Sequence, residues 1–479
     1  MIVIGAGFGG LAAALSLAER GARVTLLEAL TYPGGCASTF VKKGWSFEAG
    51  ATLFSGFAEG QLMAGWIRRH GLDVTVDVLD PMIDFRSPVL RVGVPPRREA
   101  LVASFCALPG APVAGIRAFF AEQQRVADAL WALFDDPSLL PPFSASSLLR
   151  HVGRIPGYLP ILPWVGRPLL AMLAKHGLEQ WSPLRTYLDA LCQITVQAGV
   201  AEAEAPFALA ATDYCFRGTA HVHGGIGKLA SALAGAIEKS GGKVHFASRV
   251  SAMHREGGAW VVEARGQQHR APVVIANLLP QGLRTLLGST TPTLDQRAGQ
   301  VEEGWGAVMW YLGLQKDAVL PEKPLHIEVV ADPGRPLVEG NHLFCSLSGA
   351  EEPRGPGRTA TVSTHVSIAT LKAMPAAEQG PFIAGIQSKM LENLSIFAPE
   401  VHEAITTKFP ASPRTWERFT RRALGCVGGI PRRAGLHNYQ NFLPSPVRPG
   451  LWMVGDSGFP GQSTLGVALG GLRVAAAIS

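Results

Sequence analysis

The chain begins with an apolar strand that runs directly into a glycine-rich turn, and this feature limits the fold more than any other. The apolar run 1–4 is followed by Gly5-x-Gly7-x-x-Gly10 and by an alanine-rich stretch that predicts a helix over 11–20. In such a turn Gly5 allows the tight bend, Gly7 lets a pyrophosphate approach the backbone, and Gly10 lets the helix pack closely on the strand. Unpaired N–H groups and the positive dipole end at the helix N-terminus suit phosphate groups.

An acidic residue follows at the spacing expected for a bound nucleotide. The predicted strand 24–27 ends in Glu28, about twenty residues after the turn. A carboxylate at this position accepts hydrogen bonds from an adenosine ribose and disfavours a 2′-phosphate. A glycine fingerprint alone is weak evidence. Two strands, a helix and an acid in this order predict a dinucleotide-binding unit.

The composition indicates an unusually apolar protein. A length of 479 residues allows two substantial domains, or one nucleotide-binding core with large insertions. Hydrophobic residues make up 47% of the chain and charged residues only 17%, which predicts an apolar surface or a large apolar cavity, although a well-filled core would also explain it. The net charge of +6 suits an anionic membrane surface. No run of Lys and Arg predicts a nucleic-acid partner.

The cysteines and histidines predict neither a disulfide framework nor a metal site. Six cysteines are scattered without a CxxC pair, which fits reduced thiols in the cytoplasm. His221 and His223 have no third metal ligand nearby in the sequence. No stretch has the roughly eighteen uninterrupted apolar residues that a membrane-spanning helix needs.

The segment 105–214 is predicted to be mostly helical and contains an apolar part interrupted by prolines, 139–175. Aromatic and basic residues at the edge of an apolar segment are typical of helices that lie in a membrane interface. The alternative is a buried helical cap with solvated basic edges. The basic residues at its edges are Arg150, Arg154, Arg167 and Lys175.

Farther along, the chain returns to the nucleotide-binding region near residue 222. Gly224 and Gly225 do not match the first glycine motif, so we expect them to start a helix that ends near Lys239. We therefore predict that the protein holds one cofactor tightly and has no separate NAD(P) domain. Four strand-like stretches follow at 307–314, 326–330, 342–347 and 359–367, and they predict a sheet at the floor of a substrate cavity. A helix is predicted after them, at 376–396.

A second cofactor-like motif ends the chain. The predicted strand 451–454 leads into Gly455 and Asp456, and a helix begins near Leu465. Asp456 can accept hydrogen bonds from a ribityl chain. The free N–H groups of 465–468, which include Gly466 and Val467, would face the pyrimidine edge of an isoalloxazine, where a reduced flavin gathers negative charge.

Taken together, these residues resemble the phytoene desaturase superfamily of flavoprotein oxidoreductases, and the resemblance extends over the whole chain. It is closest to the branch of carotenoid isomerases and C-3′,4′ carotenoid desaturases. The matching pieces are IVIGAGFGGLAAALSLAERGARVTLLE, YPGGCASTF, FEAGAT, HGGIGKLASALAGAIEKSGGKV, SPRTWERFTRRALGCVGGIP and LWMVGDSGFPGQSTLGVALGGLRVA.

The resemblance implies FAD as cofactor and an α/β architecture. The expected fold is a glutathione-reductase-like Rossmann FAD-binding domain, discontinuous in sequence, with an inserted α+β substrate domain and a helical cap. The FAD-binding domain would comprise 1–104, 215–285 and 440–479. The helical, membrane-associating cap would be 105–214, and the substrate-binding sheet domain 286–439.

The resemblance also implies which residues bind FAD. Departures from the family pattern are Glu48, where Asp is commoner, and the polar pair at 463–464. Gly5, Gly7, Gly10 and Glu28 would hold the ADP half, Gly34 and Gly35 would lie along the pyrophosphate, Val250 would present its backbone to the adenine, Thr52 would lie near the flavin ring, and Gly455, Asp456, Leu465, Gly466 and Val467 would contact the ribityl chain and ring.

The implied reaction is less sharply defined than the cofactor. Desaturation of an acyclic or monocyclic carotenoid, favoured at C-3′,4′, transfers a hydride to flavin N5, with a quinone or oxygen as final acceptor. Isomerisation or saturation by reduced flavin, a flavin amine oxidase and a non-catalytic carotenoid carrier remain alternatives. No catalytic acid or base is assigned; Arg414, Trp416, Arg418 and His437 could shape the ring environment or be structural. We expect a cytoplasmic protein at the membrane surface with a hydrophobic polyene substrate.

Overall fold

The computed structural model describes residues 1–352 and 354–478, and most of its strands belong to two sheets. Over these residues the strands are, in chain order, β1 (Ile2–Ile4), β2 (Thr25–Leu27), β3 (Thr39–Lys42), β4 (Trp45–Glu48), β5 (Val76–Asp77), β6 (Ile83–Arg86), β7 (Arg91–Val94), β8 (His221–Val222), β9 (Lys243–His245), β10 (Val250–Glu256), β11 (Ala259–Ala264), β12 (Gln267–Ala271), β13 (Val274–Ala276), β14 (Trp305–Leu314), β15 (Leu325–Val330), β16 (His342–Leu347), β17 (Arg358–Ser367), β18 (Ile405–Ala411), β19 (Cys426–Val427) and β20 (Leu451–Met453).

The α-helices of the same residues cover both ends and the middle of the chain. In chain order they are α1 (Phe8–Glu19), α2 (Leu62–His70), α3 (Arg98–Cys106), α4 (Val113–Asp135), α5 (Ala145–Tyr158), α6 (Leu170–Lys175), α7 (Ser182–Thr195), α8 (Ala205–Thr212), α9 (Ile226–Lys239), α10 (Pro280–Leu287), α11 (Pro292–Glu302), α12 (Ile368–Ala373), α13 (Ala376–Phe397), α14 (Pro399–Glu403), α15 (Pro413–Thr420) and α16 (Thr464–Ile478).

A parallel sheet in the order β20-β13-β1-β2-β9 forms the first half of the fold. Its strands come from three distant parts of the chain, so the predicted discontinuity of this unit is present. Ile2 lies opposite Thr25 on one side and Val274 on the other. Helix α1 packs against α9 and α16 and is buried along most of its length because its small residues permit close approach.

Two glycines allow the closest of these approaches. A Cβ atom on Gly10 would lie 2.0 Å from the carbonyl oxygen of Gly5, and one on Gly471 would lie 2.3 Å from the carbonyl oxygen of Gly9. Contacts this short exclude any side chain. Gly10 therefore has the packing role that the motif predicts, and α16 is held against α1 in the same way.

The large sheet has the order β18-β14-β17-β16-β15-β6-β7, with β19 also paired to β14. The four strands predicted between 307 and 367 are β14 to β17, as expected for the sheet beside a substrate cavity. One difference concerns 83–94. Strands β6 and β7 lie within the segment 1–104 that was assigned to the FAD-binding domain, but β6 pairs in parallel with β15, with Ile83 opposite His326. The domain boundaries themselves remain a prediction.

Between the sheets lies a group of helices, α3 to α8, which the helical prediction for 105–214 anticipated. Buried Phe105, Phe119 and Tyr187 lie in the core cluster that joins these helices to β6 and β7. A search of the described residues finds no helix with the length and apolar character needed to cross a bilayer.

A buried ionic network connects β4, β8 and the start of α9 to residues that follow β16. Arg354, which is 2% exposed, donates from Nη2 to Glu352 Oε2 at 2.7 Å and to Glu48 Oε1 at 3.3 Å. Glu352 Oε1 is bonded to His221 Nε2 at 2.8 Å, and Glu48 accepts the backbone N–H of Ile226 at the start of α9. Burial alone would raise the pKa of Glu352, but His221 and Arg354 hold it well below its usual range.

We expect Arg354→Met to destabilise the protein strongly, because it leaves two buried carboxylates without their shared cation. The free energy of unfolding should fall by about 3–5 kcal/mol, measured by denaturant unfolding of the apoprotein followed by circular dichroism. Arg270→Met is the control, since Arg270 pairs with Glu256 at 2.5 Å but both side chains are more than half exposed. The free energy of unfolding of this control should fall by less than about 1 kcal/mol. Equal decreases in the two variants would contradict the conclusion that the buried network stabilises the fold more than an exposed ion pair does.

Candidate functional site

A cavity of about 760 Å³ is lined by residues from both sheets, from α16 and from the helical part. Gly10 lies behind its wall in the contact between α1 and β1. The cavity therefore brings together nearly the whole set of residues predicted to bind FAD, whose individual contacts with the cofactor stay predictions. The predicted residues that line it are Gly5, Gly7, Glu28, Gly34, Gly35, Thr52, Val250, Gly455, Asp456, Leu465, Gly466 and Val467.

The first glycine turn presents bare backbone to this cavity. Gly5 has a φ of +93°, and Gly7 precedes α1 without a side-chain cap among the described residues, so the first N–H groups of the helix remain for a ligand. A Cβ on Gly7 would lie 2.7 Å from Asn277 Nδ2, and one on Gly9 would lie 3.4 Å from the backbone nitrogen of Gly455. These positions form a cradle that a side chain would fill, which suits the pyrophosphate of FAD.

Glu28 lines the cavity beside the first glycine turn, and its contact with an adenosine ribose stays a prediction. Its Oε2 accepts the backbone N–H of Ala6 at 2.7 Å, and its Oε1 accepts that of Leu30 at 2.8 Å. Burial raises the pKa of Glu28, while these backbone donors oppose the rise. The two bonds fix the carboxylate, and each oxygen keeps a lone pair that can accept a ribose hydroxyl.

The second glycine pair lies directly against the first turn. Gly34 and Gly35 have φ values of +110° and +61°, and Gly34 donates its N–H to the carbonyl oxygen of Ala6 at 2.8 Å. Gly7 and Gly34 also form an isolated parallel bridge. A Cβ on Gly34 would lie 2.4 Å from the carbonyl oxygen of Ala37, so this position has no room for a side chain, whereas Gly35 is favoured by its positive φ. The sequence motif predicted a second close approach of the backbone to a cofactor at this pair, and that contact stays a prediction.

The C-terminal motif lines the cavity next to the first glycine turn. Asp456 follows β20, and its Oδ2 accepts a hydrogen bond from Arg422 Nη2 at 2.7 Å. Helix α16 begins at Thr464, and Ser463 Oγ accepts the N–H of Gly466 at 2.9 Å. The N-termini of α1 and α16 therefore both border the cavity, where their dipoles favour negative charge.

Thr52 connects the cavity to the large sheet. Its Oγ1 accepts a hydrogen bond from Ser346 Oγ at 2.5 Å, and Ser346 Oγ is also bonded to His326 Nδ1 at 2.9 Å. Burial lowers the pKa of His326 to about 3, so this imidazole is neutral at physiological pH. Val250 begins β10 and reaches the cavity from the nucleotide side.

Three cavity residues have roles that the sequence analysis did not single out. Asn277, at the carboxyl end of β13, donates to the carbonyl oxygen of Gly5 at 3.3 Å. Gln197 donates to Gln462 Oε1 at 2.7 Å and to the carbonyl oxygen of Val427 at 2.9 Å. The strand-end rule for ligand sites could have identified Asn277. Gln197 and Arg422 lie outside the strands and α-helices. Arg422 stands within the matching piece SPRTWERFTRRALGCVGGIP, but the resemblance assigned it no role.

Four residues near the C-terminal motif had been considered for the ring environment. Trp416 lines the cavity, whereas Arg414, Arg418 and His437 are not among the residues of its wall. Arg414 instead donates to Gln379 at 3.1 Å. Closeness to the C-terminal motif in sequence therefore does not predict which of these four residues reach the cavity.

Beyond the cofactor residues the cavity is largely apolar. Its floor on the large sheet includes Ala307, Met309, Phe344 and His365. Burial lowers the pKa of His365 to about 3, so the floor carries no imidazolium charge. Other aromatic residues of the wall are Trp131, Phe134, Phe207, Tyr214, Trp416 and Phe419.

We expect Gly7→Leu to abolish FAD retention, because the new side chain would occupy the cradle beside Asn277. Binding should fall below detection in the flavin absorbance of the purified protein, while circular dichroism stays unchanged. Gly65→Ala in α2 is the matched control, since a Cβ there meets no atom within 4 Å. Flavin retained by Gly7→Leu at the level of the control would show that the turn is assigned wrongly.

Comparison with solved structures confirms the fold. An oxidoreductase from Methanosarcina mazei superposes with a TM-score of 0.61 at 19% identity, covering 99% of each chain. Putrescine oxidase bound to putrescine superposes with a TM-score of 0.62 at 17% identity, covering 100% of this chain and 98% of that one. At these identities the likeness concerns the fold alone, and it agrees with the predicted α/β FAD-binding class.

Comparison with known sequences confirms the family. The chain is 25% identical to a chloroplastic prolycopene isomerase of Arabidopsis thaliana over 99% of its own length and 81% of the relative's. It is 26% identical to a neurosporene-forming phytoene desaturase of Cereibacter sphaeroides, over 72% of this chain and 66% of that one. Residues 8–479 match the family model of flavin-containing amine oxidoreductases. The predicted FAD cofactor is confirmed, and the chain belongs to the flavin-containing amine oxidoreductase family as an FAD-dependent oxidoreductase.

Proposed function

We propose that this protein is a carotenoid desaturase that acts on an acyclic or monocyclic polyene, with C-3′,4′ desaturation favoured. The observation that carries the proposal is the continuity of the glycine cradle with an apolar, aromatic chamber in one cavity. Such a chamber suits a long hydrocarbon, which gains free energy from leaving water but offers few polar groups to bind. The names of the relatives, a prolycopene isomerase and a phytoene desaturase, support the same substrate class.

The charges of the cavity argue against a cationic amine as substrate. Glu28 accepts two backbone N–H groups, and Asp456 is paired with Arg422. The third acidic residue of the wall, Glu417, is exposed. Arg432 adds a buried cation to the cavity wall. Its guanidinium lies 4.9 Å from the ring centre of Phe207. An alkylammonium ion would enter this cavity without a free buried carboxylate to compensate its desolvation.

When bound, FAD would supply the acceptor for the hydride that the polyene loses during desaturation. The chain's own residues bind the polyene, align it and exclude water. Met309 and Phe344 offer polarisable and aromatic surface on the floor, and the neutral His365 adds no charge there. A delocalised polyene cation needs little help from a strong base, so a dry and well-shaped chamber accounts for most of the catalysis in this proposal.

Cis–trans isomerisation of a carotenoid is the second candidate. It is favoured by the prolycopene isomerases, which match 99% of this chain, whereas the phytoene desaturase matches 72%. An isomerase uses reduced flavin to lower the rotational barrier of a double bond without net redox change. Both reactions require the same cradle and the same chamber, so the distinction depends on a measurement of products.

We expect expression in a host that accumulates an acyclic carotenoid to produce pigments with longer conjugation. Desaturation shifts the absorption bands of the separated pigment to longer wavelength, because each new double bond extends the chromophore. An unchanged chromophore length with a fading near-ultraviolet cis band would instead establish isomerisation. The Gly7→Leu variant is the control for dependence on bound FAD.

Unchanged pigments across several carotenoids would contradict the proposed substrate class. In that case flavin reduction by amines under anaerobic conditions would test the amine oxidase alternative. A protein that retains carotenoid through purification without flavin reduction would instead be a carrier.

We also propose that the protein works at an anionic membrane surface through α5 and the turn after it. One face of this segment carries exposed apolar side chains at helical spacing, and Leu149 and Val152 are 75% and 64% exposed. Exposed Arg154 and Arg167 border it, which suits anionic headgroups. We call these side chains the apolar surface patch: Leu148, Leu149, Val152, Ile155, Leu159 and Leu162.

A row of aromatic rings connects the vicinity of this patch to the cavity. Phe143, just before α5, lies 6.1 Å from Phe442, which lies 5.0 Å from Phe459. Phe459 in turn lies 6.2 Å from Phe207, which lines the cavity; all distances are between ring centres. We propose that a lipid-dissolved polyene enters the chamber from the side on which this row of rings lies. This arrangement supports a membrane-facing entrance.

We expect the double variant Leu149→Asp, Val152→Asp to lose binding to vesicles of phosphatidylglycerol and phosphatidylcholine. Each apolar side chain contributes about 1.5–3 kcal/mol when buried, so bound protein in a flotation assay should fall at least about tenfold. The control is Val319→Asp, Ile396→Asp, at two exposed apolar positions outside the patch that are 97% and 61% exposed. Equal binding of the two double variants would contradict the assignment of the patch.

A further inference from the structure

Arg422 is a largely buried arginine in the wall of the cavity. The sequence motifs assigned it no role. Its Nη2 donates to Asp456 Oδ2 at 2.7 Å, and its Nε donates to the carbonyl oxygen of Cys426 at 2.5 Å. Only 15% of its side chain is exposed. Arginine has five N–H donors in a planar fork, so these two bonds leave donors, including those of Nη1, for a ligand in the cavity.

The backbone around Arg422 is held in an uncommon conformation. Arg421 and Leu424 have φ values of +59° and +56°, which residues with side chains rarely adopt. A Cβ on Gly425 would lie 2.2 Å from the carbonyl oxygen of Pro413, so the loop is pressed against the start of α15. Such conformations persist where the surrounding structure enforces them, and they cluster at functional sites. Here they turn the Arg422 side chain towards the cavity.

The location of Arg422 relates it to one part of the cofactor. Its neighbours include the carboxylate of Asp456 and the thiol of Cys36. Cys36 directly follows Gly34 and Gly35 in the chain. A Cβ on Gly429, seven residues after Arg422, would lie 2.4 Å from the carbonyl oxygen of Asp456. The guanidinium therefore lies between the second glycine pair and the acid of the C-terminal motif. These are the residues expected along the pyrophosphate and the ribityl chain.

Electrostatics keep this cation charged in a shielded place. Burial alone would lower the pKa of Arg422, but the carboxylate of Asp456 raises it above its usual value. Burial also raises the pKa of Cys36, so that thiol stays protonated and adds no negative charge. The pair of Arg422 and Asp456 is neutral overall. The N–H donors of Arg422 that Asp456 and Cys426 leave can bond an anionic oxygen of a ligand that carries phosphates.

We propose that Arg422 is an FAD-binding residue, which orients Asp456 towards the ribityl chain and donates from Nη1 to an oxygen at the junction of the ribityl chain and the pyrophosphate. The proposal depends on the FAD cofactor and is independent of which polyene the protein uses. It supplies a cation that the glycine motifs lack, since those motifs offer only backbone N–H groups.

The test compares FAD binding by the apoproteins of Arg422→Gln, Arg422→Lys and the control Arg418→Gln. Arg418 is exposed and is not among the residues of the cavity wall. Quenching of flavin fluorescence gives the dissociation constant, and thermal unfolding is recorded with and without FAD. A charge-assisted hydrogen bond predicts a rise in the dissociation constant of about ten- to a hundredfold for Arg422→Gln. Arg422→Lys should show a smaller rise, and the control none.

Thermal unfolding separates binding from a purely structural ion pair. If Arg422 binds FAD, the increase in melting temperature that FAD produces becomes smaller in Arg422→Gln, because ligand stabilisation follows affinity. If the melting temperature of the apoprotein falls while the FAD-dependent increase and the dissociation constant stay at the control values, Arg422 only supports the loop and the proposal is wrong. Neither readout requires a substrate, so failure of the polyene assignment would leave this result intact.

Discussion

The contact between α1 and β1 is the constraint on which the rest of the cofactor site depends. Gly10 brings the helix so close to Gly5 that a single methyl group would collide with its carbonyl oxygen. Gly471 brings α16 equally close to Gly9. Because both approaches are made by backbone alone, the N-termini of α1 and α16 border the same cavity. Both dipoles therefore favour negative charge in this cavity, as the pyrophosphate of FAD requires.

The matching of charges inside the cavity allows a polar cofactor and an apolar substrate to share it. Glu28 and Asp456 each have their own partners, and His365 is neutral because burial lowers its pKa. Unpaired charges in a cavity of low dielectric constant would be costly and would retain water. With these acidic groups and the imidazole held in this way, the part of the chamber over the large sheet offers no free buried carboxylate. This property would distinguish the proposed polyene site from a site for an alkylammonium ion on the same fold.

Local sequence patterns predicted much of the fold closely. The helix expected at 376–396 is α13, Ala376–Phe397, and the strand expected at 342–347 is β16 with the same bounds. These elements have strong periodicity and clear boundaries, so their own residues specify them. The pairing of β6 with β15 could not be predicted in this way, because the partners lie more than 200 residues apart and both are short. Domain membership of 83–94 depends on that pairing.

The sequence by itself determined the cofactor end of the protein. Turns at Gly5, Gly7 and Gly34 need residues without side chains, and such a requirement is written directly in the chain. Only the tertiary structure decided what surrounds these turns. Asn277, Gln197 and Arg422 reach the cavity from segments distant in sequence, and no local pattern marks a side chain whose partner is supplied by another part of the fold. The physical reason is that backbone conformation is a local property, whereas burial, charge pairing and cavity shape arise only when distant segments pack together.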